Sequence, residues 1–175
     1  MKLALALTVY IGAIVAANVM AAHYGLINVG FGLLVPAGTF AAGFALLARD
    51  FVHRYGGVMW ALGGIAVGGL LSFWLSTPGL AVASAAAFTA AELVDLSIYS
   101  SVSDHLGFAP AILASNLVSA PVDTVAFLWL AGFPLTWNAI AGQLVGKLIW
   151  ATLVPLALYL VGQSALLRQP VEGRA

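Results

Sequence analysis

Cysteine is absent from the 175 residues, and charge is scarce: six Lys and Arg and six Asp and Glu, 7% of the chain. The first absence excludes disulfides and thiolate chemistry and leaves the compartment open. The second bears on fold class. A soluble domain carries about 25% charged residues, and this chain has too few to cover a surface in water. Formal net charge is zero, so nothing favours a nucleic-acid partner. Missing too are a Gly-rich phosphate loop, a nucleophile elbow and a zincin motif, and no His/Glu cluster has metal spacing. These gaps predict no catalytic residue, no metal and no cofactor.

Apolar length is what the sequence has. Hydrophobic residues make up 63% and mean hydropathy is +1.08. Long apolar stretches follow one another with short breaks, the composition of an all-α polytopic bundle in a lipid bilayer. The alternating strands of a β-barrel are not visible. The reading is a single integral membrane domain over 1–175, with six spans at about 3–22, 29–48, 57–76, 80–102, 109–131 and 136–162. Each approaches the ~20 residues needed to cross the hydrocarbon core. Lys2 followed by an apolar run would also open a signal peptide; the run's length and Asn18 favour a retained first helix.

With six spans, Lys2, Arg49, Arg54, Arg168 and Arg174 all fall on one side and the opposite loops carry no Lys or Arg. The positive-inside rule then puts both termini in the cytoplasm. The loop 49–57 reads as a solvated turn, or more sharply as a gate salt bridge. Ala13, Ala17 and Ala21, and Gly63-Gly64 with Gly68-Gly69, are small residues at spacings that let membrane helices approach closely. They suit internal packing or a docking face for a partner, a homodimer included. Pro36, Pro121 and Pro155 fall inside expected spans, and Pro121 stands two residues before Asp123, where a kink would open backbone polar groups.

Three of the apolar segments carry polar stripes. Phe88, Glu92, Asp95 and Tyr99 share one helix face, as do Asn116, Ser119, Asp123 and Phe127, and Gln143, Lys147 and Trp150. A charge at mid-bilayer costs about 2.5–3.5 kcal/mol on insertion scales, so such residues face a bundle interior or a wet cavity. Glu92, Asp95 and Asp123 outnumber Lys147, so pairing alone cannot neutralise them. One acid is then protonated or awaits a donor-bearing ligand. The alternative is a structural pair, Asp123–Lys147 or Glu92–Lys147, that fixes helix register. Trp74, Trp129, Trp137 and Tyr159 lie near span ends and read as interfacial anchors.

Taken together these motifs resemble the VUT family of queuosine precursor transporters. The strongest parts are the run from Phe88-Thr89-Ala90-Ala91-Glu92 through Asp95 to Tyr99 and the run Asn116-Leu117-Val118-Ser119-Ala120-Pro121-Val122-Asp123. Lys147 followed by Pro155 and Tyr159 is similar to the family's last span. Family members often carry glutamine where Glu92 stands. The resemblance implies a transporter, not an enzyme, in the bacterial inner membrane, importing a 7-deazaguanine such as preQ0 or preQ1 by alternating access. A purine-like edge presents adjacent N–H groups that a carboxylate accepts together. The expected substrate-binding set is therefore Glu92, Asp95, Asn116, Asp123, Lys147, Phe88, Gln143 and Ser119. Two other readings remain: the membrane subunit of an energy-coupling-factor vitamin importer, docking through the Ala13/Ala17/Ala21 face, and an intramembrane enzyme using Glu92 and Asp95 as acid and base.

Overall fold

The computed structural model describes residues 1–167, and Arg168 and Arg174 lie outside them. Helix α1 (Lys2–Tyr24) leads into a two-stranded antiparallel hairpin, β1 (Leu26–Asn28) and β2 (Leu34–Pro36), with Ile27 opposite Val35. Helices α2 (Thr39–Gly56), α3 (Val58–Leu75), α4 (Pro78–Leu106) and α5 (Phe108–Leu130) follow. The last rod is composite: α6 (Trp137–Leu144), a π-helical segment (Val145–Leu153) and α7 (Val154–Leu167).

The junctions are short because single residues make them. Gly57 and Gly107 each end one helix and begin the next at φ 82° and 84°, a left-handed conformation that glycine adopts without steric cost. Pro78 opens α4 at a position whose N–H would be unpaired in any case. Thr136 caps α6 by accepting from the Ala139 N–H at 3.2 Å.

Four helical stretches are long and apolar enough to cross a membrane: Lys2–Tyr24, Val58–Leu75, Phe108–Leu130 and Trp137–Gly162. Helix α4, bent by 41° between its arms Pro78–Asp95 and Ser97–Leu106, makes a fifth when counted as one. Ser97 Oγ donates back to the Val94 carbonyl at 2.8 Å beside that bend, and such back-bonding bends helices. These are the described residues' candidates by length and composition; α2 is not among them, because Arg49, Asp50 and Arg54 interrupt its apolar run.

The segment expected to be helical over 29–48 is the main departure. Its first part is the hairpin, and the helix starts at Thr39 and runs to Gly56. Asn28 accepts from the Gly30 N–H at 2.7 Å, Gly30, Phe31 and Gly32 all have positive φ, and Pro36 closes β2. That turn chemistry breaks a helix. The stretch 49–56, read from sequence as loop, therefore forms the last turns of α2, and Arg49 and Asp50 are buried rather than solvated.

The bundle is apolar outside and polar within. Met59, Leu70, Leu93, Leu117 and Leu158 are exposed large side chains, while Glu92, Asp95, Asn116 and Lys147 are buried. Helix α1 packs on α2 and α3, α4 on α5, and α2 on the π segment. One apolar cluster joins Tyr10, Ile14, Leu46, Val52, Ile65 and Phe88; a second joins Leu47, Tyr99, Ile112 and Leu156. Ala13 and Ala17 are buried in this packing: a side chain at Gly38 would strike the Ala17 carbonyl. Ala13 and Ala17 of the small-residue face thus pack inside the bundle, and Ala21 is half-buried. Gly64 and Gly68 likewise make room for Tyr10 and Ile14. Trp74, Trp129 and Trp137 are exposed near helix ends, where aromatic rings anchor at a membrane interface.

Candidate functional site

Two ionic centres occupy the interior. At the first, Arg49 from α2 meets three carboxylates. Its Nη2 lies 2.8 Å from Asp50 Oδ1 and 2.8 Å from Asp95 Oδ1, and its Nε is 3.2 Å from Glu92 Oε2. Nη2 also donates to Asn116 Oδ1 at 3.3 Å, and Asn116 Nδ2 donates to Asp50 Oδ2 at 3.1 Å. All five side chains are at most 1% exposed. Glu92 and Asp95 thus share the same guanidinium with Asp50 and Asn116. One guanidinium does not balance three carboxylates.

The second centre is a one-to-one pair. Lys147 Nζ donates to Asp123 Oδ2 at 2.7 Å and to Thr124 Oγ1 at 3.1 Å. Lys147 stands in the π-helical segment, a wide turn common at functional sites. Pro155 lies just beyond and has no N–H to close an α ladder, and Thr152 Oγ1 donates to the Lys147 carbonyl at 2.8 Å. Helix α2 reaches this backbone only because residue 43 is glycine. A Cβ there would stand 2.6 Å from Lys147 Cα, closer than any packed side chain.

Beside this pair is a small cavity of about 20 Å³. Its wall includes Asn18, Ser84, Phe88, Asp123, Phe127, Gln143 and Lys147, with Pro36, Gly38 and Thr39 at the base of the hairpin. Its volume is room for roughly one water. Gln143 Nε2 is buried with no acceptor. The hairpin is tied to the last rod by Trp150 Nε1, which donates to the Val29 carbonyl at 3.2 Å.

The eight residues expected to share one site divide between these centres. Asp123, Lys147, Gln143 and Phe88 meet at the cavity. Glu92, Asp95 and Asn116 gather at Arg49 and are not part of the cavity wall. Ser119 lies between, on the α5 face that carries Asn116 and Asp123, with its buried hydroxyl unpartnered. Sequence reasoning missed Arg49 and Asp50 as interior polar groups. The signal was present in Gly30, Gly32, Pro36 and Gly38: these turn residues push the following helix forward and carry Arg49 inside. The count of three acids against one lysine is corrected accordingly to four buried acids against Arg49 and Lys147.

A helical bundle with an apolar exterior and ion pairs within is a multi-pass membrane protein with a polar interior. Residues 4–161 match the family described as "Putative vitamin uptake transporter", and the chain belongs to that vitamin uptake transporter (VUT) family. A small-molecule substrate follows from membership. No curated protein and no solved structure matches the chain.

Proposed function

We propose that this protein carries a flat, guanine-like heterocycle, a queuosine precursor such as preQ0 or preQ1, into a bacterial cell by alternating access. The observation that supports this most is the cavity where the Lys147–Asp123 pair, the unpartnered Gln143 amide and the rings of Phe88 and Phe127 meet. Asp123 accepts from the ring N–H and exocyclic amine of a guanine-type edge, a strong charge-assisted arrangement. Lys147 and Gln143 donate to the ring carbonyl, and Phe88 and Phe127 cover the faces of the guest. Binding widens the cavity, which in its closed form is too narrow for a ring.

In this reading α2 is a sixth span, both termini face the cytoplasm and the membrane is the bacterial inner membrane. Lys2 and Arg54 support a shared basic end: Lys2 Nζ is 6.0 Å from the Tyr55 ring centre, and Arg54 lies 4.1 Å over Phe108 at the start of α5. Positive charge at one end sets orientation. Uptake of labelled preQ0 and preQ1 into cells unable to make them tests the proposal. Accumulation abolished by Asp123→Ala, with the protein still in the membrane, supports it. Uptake unchanged in that variant refutes it.

A further inference from the structure

We propose that the arginine centre is a proton-binding site, separate from the substrate cavity, through which a transmembrane proton gradient drives transport. Three observations carry it.

The first is charge balance. Arg49 faces Asp50, Glu92 and Asp95, all buried, so two negative charges are uncompensated when all three acids are ionised. An uncompensated charge away from water is costly, and a proton on a carboxylate removes it. The acids surround a guanidinium instead of converging on a common point, and among the described residues no group of three His, Cys, Asp or Glu could hold a metal ion.

The second is a set of buried groups with free hydrogen-bonding capacity leading inward. Tyr10 of α1 is 1% exposed and its hydroxyl has no partner. It packs in the apolar cluster that holds Leu46, three residues before Arg49, and Phe88 of the cavity wall. Ser119, 0% exposed and also unpartnered, lies three residues from Asn116 and four from Asp123 on α5. Asn116 and Asp123 are seven residues apart, roughly 10 Å along the helix. A hydroxyl both donates and accepts, so Tyr10 and Ser119 suit a proton relay across that gap. Lys147 is the cation at its far end.

The third is a path toward one face of the bundle. His53, one turn beyond Arg49 and Asp50 on α2, is half-buried with Nδ1 unpartnered. Its ring lies 5.1 Å from that of Tyr99, one turn beyond Asp95 on α4. Exposed Arg54 follows it at the end of the helix. His53 is placed to pass a proton between that end and the Asp95 side of the centre. In the step itself an ionised Glu92 or Asp95 takes one proton from one side of the membrane. The same O–H bond later breaks to release it on the other side, so one proton crosses per cycle.

Two measurements on the full chain test this, one independent of any substrate. Infrared difference spectra of the protein in lipid, between alkaline and acidic buffer, should show a carboxylic acid C=O band that disappears in Glu92→Gln or Asp95→Asn. These variants keep an acid on Arg49, so the centre stays paired. A spectrum with no titrating band dependent on either residue overturns the proposal. In vesicles containing the protein and a trapped pH dye, preQ1 should acidify the lumen, and an inward acid gradient should raise uptake about tenfold. Glu92→Gln should lose both responses yet retain exchange of labelled for unlabelled preQ1, and Tyr10→Phe should slow acidification about tenfold. Uptake that proceeds without acidification, or that follows sodium instead, refutes the proton site and leaves the transport reading standing. A titrating band in a protein that moves no deazapurine does the reverse.

Discussion

Around Arg49, three carboxylates and an asparagine amide crowd one guanidinium away from the cavity. Around Lys147, one ammonium meets one carboxylate and one hydroxyl at the wall of the small cavity. Both centres are buried and both join helices distant in sequence, but they solve different problems. In the proposed cycle, the crowded centre with surplus negative charge takes a proton. A balanced pair at a cavity wall, with a spare amide donor and two rings nearby, can re-pair with a guest. Burial of charge alone therefore does not mark a ligand site in a membrane; the charge ratio and the adjoining space decide its use.

Substitutions separate the two. Arg49→Ala should have the largest effect, since it leaves three buried acids without a counter-charge. A loss of about 5 kcal/mol or more is expected, read as failure to recover folded protein in detergent. Recovery at normal yield would mean the acids are neutral and the centre is not ionic. Lys147→Met should cost about 3 kcal/mol by leaving Asp123 unpaired. The double variant Lys147→Met/Asp123→Leu should regain most of that thermal stability and still transport nothing. Restored uptake in the double variant would reduce the lysine centre to a register device.

Smaller effects refine the contrast. Gly43→Leu pushes α2 off the Lys147 backbone and should lower stability by about 2 kcal/mol, visible as a lower unfolding temperature. Gln143→Leu should leave that temperature nearly unchanged while raising KM for uptake about tenfold, about 1.4 kcal/mol. An equal change in both would make Gln143 a packing residue. Trp150→Phe removes the hydrogen bond to Val29 together with part of a half-exposed ring and should cost about 1 kcal/mol. Its signature should be faster hydrogen exchange in the hairpin, with the arginine centre unaffected.

Much of the helical architecture was legible in the chain. The helices at Val58–Leu75, Phe108–Leu130 and the last rod fall where uninterrupted apolar runs lie, because in lipid the backbone must satisfy its own hydrogen bonds. The polar stripes on α4, α5 and the last rod were equally plain, since a spacing of three to four residues fixes a helix face. The second segment was not. Its apolar residues run on through Gly30, Gly32 and Pro36, and hydropathy averages over the turn signals that end the hairpin. That error hid Arg49. The residue looked like a surface charge that sets orientation, and it is the counter-ion of the acids on α4.

The sequence by itself determined that this is a predominantly helical membrane protein with charged side chains deep in its spans. Composition and local periodicity suffice for both, as they depend only on neighbours within a turn or two, while the VUT resemblance rests on particular motifs. Which charges meet was decided by tertiary structure alone. Arg49 reaches Glu92 and Asp95, and Lys147 reaches Asp123, because α2 starts ten residues later than its apolar run suggests and because Gly43 lets it press against the π segment. Pairing across helices depends on register and approach distance, and no local pattern encodes those.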